Sequence, residues 1–179
     1  MTTTAKNYTK GDGTRKPRVI VIHSMESQEK PDTAESVAKW FSSPNAPQAS
    51  AHWCVDNNSA VQVVDDKDIA WGAPGANQDG LHIELAGTAA QTRAQWLDAY
   101  SQGVLDQAAK VAANWVKKYS IPVSHLTVAQ VADGKTKGIC GHIDVTKAFP
   151  KLGSHTDPGA NFPWDVFLDK VTKAVNSTK

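Results

Sequence analysis

From Arg18 the chain reads Arg-Val-Ile-Val-Ile-His, an apolar block that closes on a histidine. A short unbroken run of this kind predicts a strand buried on both faces, with His23 at its end. The preceding residues 1–17 are polar and carry Gly11, Gly13 and Pro17, which reads as a flexible N-terminal arm ahead of one domain over 18–179. From Pro31 the period lengthens to that of a helix. Val37, Trp40 and Phe41 fall on its apolar face, Asp32 and Glu35 stand near its start, and Ser-Ser-Pro-Asn at 42–45 stops it.

Residues 51–56 and 60–65 read as two short strands around Asn57-Asn58-Ser59, residue types that tolerate the positive φ of a tight turn, and so as a hairpin. A loop rich in Gly, Pro and Asn runs from Gly72 to Gly80. Leu81-His82-Ile83-Glu84-Leu85 then alternates, as a strand with two unlike faces does. Over 92–119, Trp96, Tyr100, Val104, Ala108, Val111, Ala112, Trp115 and Tyr119 recur at spacings of three and four, predicting one long amphipathic helix. Beyond Pro122 follow a short helical piece around 125–132, a strand over 138–142, a long loop over 143–163 and a last helix from Trp164 to Val175. Strands and helices interleave, which predicts an α/β fold with a central mixed β-sheet flanked by helices.

Composition narrows the function. A length of 179 residues with 40% hydrophobic content suits one domain with a sizeable core. The net charge of +1 offers no electrostatic footprint for nucleic acid or an anionic membrane. The N-terminus lacks the apolar stretch of a secretory signal and no apolar run approaches a membrane span, so we expect synthesis in the cytoplasm without a signal peptide and no membrane insertion. The only cysteines, Cys54 and Cys140, exclude a disulfide framework and any zinc site built on paired CxxC motifs. Both read as small buried strand residues, with one bridge between them as the alternative.

Six histidines occur, and the ordinary role of a lone one is a surface or hydrogen-bonded core group. His23 and His142 differ because each closes an apolar strand, where side chains from neighbouring strands can meet at one sheet edge. With Asp157 from the loop Thr156-Asp-Pro-Gly159 they would offer two imidazoles and a carboxylate to a tetrahedral Zn²⁺, with a fourth position left for water. Such an ion acidifies its water and polarises a carbonyl. His82 and Glu84 also spell the H-x-E of zinc deaminases, but the P-C-x-x-C which that chemistry needs downstream is absent. Cys140 shares a strand face with His142 and is kept as core rather than as a thiolate ligand. His125 reads as helix-start surface. Asp144 either holds the His142 imidazole or caps a loop.

Five segments in order carry a resemblance: Val19-Ile-Val-Ile-His23-Ser24, Ser50-Ala-His52-Trp, Ala70-Trp71, Ile83-Glu84-Leu85-Ala-Gly87-Thr88, and Gly141-His142-Ile-Asp144 leading to His155-Thr-Asp157-Pro-Gly159. Over residues 18–168 the chain resembles the type 2 N-acetylmuramoyl-L-alanine amidase family, which shares its fold with peptidoglycan recognition proteins. The resemblance implies zinc on His23, His142 and Asp157, and catalytic roles for Glu84 and His155, the latter standing where many members have a lysine. Its reaction is attack of a zinc-activated water on the amide between the lactyl group of N-acetylmuramic acid and L-alanine, in the peptidoglycan of the bacterial cell wall. Glu84 would take the water proton and return it to the departing amine, and His155 would face the developing oxyanion.

Trp71, beside the Gly/Pro/Asn loop, reads either as a core residue, the commoner role of a tryptophan, or as an aromatic platform for sugar or peptide, and Asn77 and His52 are read with it as substrate-facing, His52 packing near the metal strands without ligating. Three departures stand out: Asn-Asn-Ser at the hairpin where Asp-Gly is frequent, Gly72 where a histidine often stands, and fourteen residues between His142 and Asp157. The expected protein is a monomeric hydrolase, read as the catalytic domain of a bacteriolytic phage endolysin exported through a holin, or else as a recycling amidase. The competing readings are a non-catalytic peptidoglycan-binding module, which would be expected to lack a ligand, and a zinc peptidase cutting stem-peptide bonds.

Overall fold

The structure is a computed structural model that describes residues 4–177; the first three residues of the expected arm and the last two of the expected domain lie outside the described residues. In chain order the strands are β1 (Tyr8–Thr9), β2 (Val19–Ser24), β3 (Trp53–Val55), β4 (Ala60–Gln62), β5 (Ile69–Ala70), β6 (Gly80–Leu85) and β7 (Gly138–Gly141). The helices are α1 (Thr33–Ser42), α2 (Arg93–Trp96), α3 (Ala99–Tyr119), α4 (Val128–Ala132), α5 (His142–Ala148) and α6 (Trp164–Ser177). A five-stranded sheet has the order β4-β3-β6-β2-β7. Its inner pairs β3·β6, β6·β2 and β2·β7 are parallel and only the edge strand β4 is antiparallel, so the sheet is mixed and flanked by helices, as the interleaved pattern predicts.

Strand alternation sorts the sheet residues onto two faces. Ile20 and Ile22 of β2, Leu81, Ile83 and Leu85 of β6, and Ile139 of β7 lie in the main core with Val104, Leu105, Ala108, Ala112 and Trp115 of α3 and Phe167 and Val171 of α6. The opposite face is split between two smaller clusters. Cys54 packs with Ala34, Ala38 and Phe41 of α1, while Val19, Val21 and Cys140 pack with Ala73, Val131 and Val145. β6 is therefore not half-exposed: parallel strands are covered on both sides, and only Glu84 within it is less than fully buried.

Several sequence expectations are revised. The part of the arm that is described is not loose. Ala5 is buried and its N–H donates to the Val63 carbonyl, β1 pairs with β5, and the Arg15 guanidinium donates to the carbonyls of Asp66, Gln78 and Gly80. In α1 the buried face is Ala34, Ala38 and Phe41, whose small residues let the helix approach β3; Trp40 is half exposed and stacks on Phe41. The hairpin turn needs no positive φ, because Asp56 Oδ1 accepts from the N–H groups of Asn58 and Ser59 and closes an Asx turn.

The stretch 92–119 breaks after Trp96, where Asp98 accepts from the Ser101 N–H and caps α3 anew. The 143–163 segment is not all loop: β7 passes directly into α5, which His142 begins. Cys54 and Cys140 are free and buried, without a bridge.

Candidate metal centre

The chemistry-bearing residues gather at the carboxyl ends of the parallel strands, the edge where open α/β sheets form their crevice. Strand register explains why. His23 lies opposite Glu84, and Glu84 opposite Cys54. Because Ile22 pairs with Gly141, the next residues in line are His23 and His142. One transverse row therefore reads Cys54, Glu84, His23, His142. The row two residues back contains His82, Val21 and Cys140, with His52 bound at its end through its N–H to the His82 carbonyl.

Asp157 reaches this row from the loop after α5, held there as its carbonyl accepts from the Ile143 N–H. Its carboxylate spans the two imidazoles, with Oδ2 3.1 Å from His23 Nδ1 and Oδ1 3.2 Å from His142 Nδ1. All three residues are buried, and their donor atoms lie within 4.8 Å of one another. Donor atoms about 2.0–2.2 Å from a tetrahedral zinc stand roughly 3.3 Å apart, so the two carboxylate-imidazole separations match a shared ion. Two neutral nitrogens and one anionic oxygen are also the right donor chemistry.

Electrostatics favour an anionic Asp157 and a neutral His142. Burial alone would push the Asp157 carboxyl up, but hydrogen bonds from His142 and His23 outweigh it and hold the group well below the usual carboxylate range. Burial lowers His142, only partly offset by Asp157. Glu84 is pushed the other way: burial, then the nearby charges of Asp157 and Glu26, raise its pKa well above the ordinary value. Its Oε2 is buried with no hydrogen-bond partner among the described residues, a costly state for a carboxyl group without a task.

The remaining candidates separate. His155 stacks on His142 at 4.0 Å between ring centres, with Nδ1 3.8 Å from Asp157 Oδ1, and its side chain is 56% exposed. Trp71 is half-buried and its Nε1 donates to Thr9 Oγ1. Asn77 uses its amide oxygen to accept from the Gly72 and Ala73 N–H groups, which fixes its own loop. His52 is fully buried with both ring nitrogens engaged, so it presents no surface to a substrate, contrary to the sequence expectation. Asp144 does not hold His142. It accepts from the Gly141 N–H and lies 3.0 Å from His125 Nε2; His125 is exposed, as its surface reading expects, and stacks on Trp164. Cys140 stays in the core, its thiol pushed up by burial. The sequence alone leaves His82 open between the cleft, solvent and a hydrogen bond, with the last two favoured. It is fully buried, with Nδ1 3.0 Å from His23 Nε2; the signal in the sequence is its shared strand face with Glu84.

Solved structures with the same fold include the Staphylococcus aureus hydrolase AmiA in complex with its ligand, at 20% identity over 98% of this chain and 81% of that one, with a TM-score of 0.71. An AmpD derivative aligns at 19% identity over 95% and 93% of the two chains, with a TM-score of 0.66. The amidase LysC from Clostridium intestinale URNW aligns at 12% identity over 96% and 97%, with a TM-score of 0.58. No curated protein matches the chain by sequence. The model of the family described as N-acetylmuramoyl-L-alanine amidase matches residues 13–160, most of the chain and all three residues of the buried His-His-Asp cluster, and the chain belongs to that family of enzymes.

Proposed function

We propose that this amidase is a zinc enzyme which hydrolyses the amide joining the lactyl group of N-acetylmuramic acid to the L-alanine of the stem peptide, and that it acts on the cell wall in the manner of an endolysin. The observation that carries the reading is the convergence of His23, His142 and Asp157 within one ion's reach, beside the unpartnered carboxyl of Glu84. A zinc ion held there supplies Lewis acidity, acidifying water and polarising a carbonyl.

The protein's own groups do the rest. Glu84 accepts the proton of the attacking water and delivers it to the departing amine, a transfer that requires its ionised form at the outset. A cation at the three ligands favours that form, opposing the burial that otherwise keeps the carboxyl protonated. His155, exposed on the crevice side of His142, faces the oxygen on which charge develops and donates to it. Trp71 offers a ring face to the sugar or the peptide, and Asn77 shapes the loop beside it. Chemistry of this kind needs no second subunit, consistent with a monomer.

The test is digestion of purified cell wall by zinc-loaded protein. Free stem peptides with new L-alanine amino termini are expected, together with muramic acid freed of peptide, read by mass spectrometry. Inert protein overturns the amidase reading, and cuts within the stem peptide replace it with a peptidase. Intact sacculi are expected to be cleaved faster than soluble muropeptide fragments; the reverse order assigns a recycling role.

A further inference from the structure

His23 presents one ring nitrogen, Nδ1, to Asp157 and the other, Nε2, to Nδ1 of His82 at 3.0 Å. A neutral imidazole that binds a metal through Nδ1 must carry its proton on Nε2, and that proton needs an acceptor. From the geometry we infer that His82 is the positioning residue for the metal ligand His23: once a metal takes Nδ1 in place of its proton, the His82 Nδ1 lone pair accepts the His23 Nε2–H and so fixes both the tautomer and the tilt of the ligand ring. The inference rests on the metal reading above.

The surroundings of His82 are built to hold that ring. His52 fixes its strand: the His82 N–H donates to His52 Nδ1, which leaves the His52 proton on Nε2, where it donates to the Asp68 carbonyl. The His52 and His82 rings lie 5.6 Å apart and 7° from parallel. On its other side the ring lies against backbone. A Cβ at Gly72 would sit 2.6 Å from His82 Nδ1, and one at Gly80 3.0 Å from Nε2, so glycine at both positions leaves the ring its place. His82 is thus packed from two directions with its Nδ1 aimed at His23, while its Nε2 is buried without a hydrogen-bond partner among the described residues.

The experiment compares zinc affinities, by competition with a chromophoric chelator, for the wild type, His82→Asn and His82→Leu. Asparagine keeps an acceptor oxygen near the place of Nδ1, and leucine removes it. His82→Leu is expected to bind zinc about 10- to 100-fold more weakly and His82→Asn close to the wild type. Equal affinity in wild type and His82→Leu overturns the inference, as does an equal loss in both variants, which is what a purely packing role produces. Should the leucine variant not fold, ¹⁵N–¹H correlation spectra of the histidine rings in zinc-loaded wild type decide the matter: Nε2 of His23 and Nε2 of His82 are expected to carry the protons, and a proton on His82 Nδ1 overturns the assignment. A wild-type protein that takes up no zinc removes the metal reading and this inference with it, whereas zinc uptake with an unaffected leucine variant removes this inference alone.

Discussion

At Glu84 a carboxyl group stands at the end of β6 with one oxygen unpartnered, so folding takes it out of water without compensation. Its pKa rises from the ordinary 4.5, chiefly through burial, so above that pH the folded state holds a proton the unfolded chain has released. Stability of the metal-free protein then falls as pH rises through this window. Glu84→Gln removes the penalty: the metal-free variant should melt a few degrees higher than wild type at pH 8, on the order of one kcal/mol or more for a domain of this size, and no higher at pH 4. The same variant should keep its zinc and lose about 10²- to 10⁴-fold in kcat. Loss of zinc would instead put Glu84 among the ligands. His155 makes a separate case, since it lies outside the ligand set and is exposed. His155→Ala is expected to lower kcat by about 10²-fold, the usual effect of removing one oxyanion donor, with zinc affinity retained. His155→Lys, which puts an N–H donor back at this position, should recover most of the loss; an alanine variant as active as wild type would show that the ring only covers His142.

Elements report on a different kind of information. β2 is legible because Val19 to Ile22 form an unbroken apolar run, and α3 because its buried positions recur at helical spacing. β1 and β5 are two residues long, too short to show a period, and what orders them is their antiparallel pairing with each other across distant parts of the chain. The break between α2 and α3 is marked by Asp98, a capping residue inside an otherwise continuous apolar pattern. Of the site, His23, His142, Glu84 and Asp157 are legible through the motifs around them, whereas the His82–His23 contact depends on β6 lying beside β2 and has no local trace. The end of α3 supplies a test at this scale. Ser120 takes the left-handed conformation, φ 51° and ψ 51°, where a side chain is strained and glycine is not. Ser120→Gly should stabilise the protein by about 0.5–1 kcal/mol, raising Tm by about 1–4 °C without change in activity; an unchanged or lower Tm would mean that the hydroxyl contributes more than the strain costs.

Across the whole molecule, the site is where strands from distant parts of the sequence are joined, and it is also where protons are most unevenly bound. His52 is pushed down to about 3 by burial and then by the charge of Arg15, and His82 is held well below 6.5 by burial and by His23. Both are neutral in the fold and become charged when the chain unfolds in acid. Their folded values lie below the unfolded ones, so the stability they contribute is present above pH 6.5 and is lost progressively as pH falls towards about 3. Each tenfold drop in proton affinity on folding is worth roughly 1.4 kcal/mol, so His52 alone makes this a loss of several kcal/mol. Glu84, whose pKa moves in the opposite direction, works against this loss. The Tm of the metal-free protein should therefore fall steeply between pH 6.5 and pH 4, and more steeply in Glu84→Gln, where the opposing contribution is gone. Zinc should raise Tm at pH 7 in proportion to the logarithm of its free concentration. That increment should shrink over the same acid interval, because protons compete for the imidazoles of His23 and His142. Differential scanning calorimetry with chelator and with buffered zinc separates the two effects. A metal-free melting curve that stays flat from pH 7 to pH 4 would mean that His52 and His82 reach water before the fold opens, and that the packed row of rings beneath the metal centre is looser than its hydrogen bonds imply.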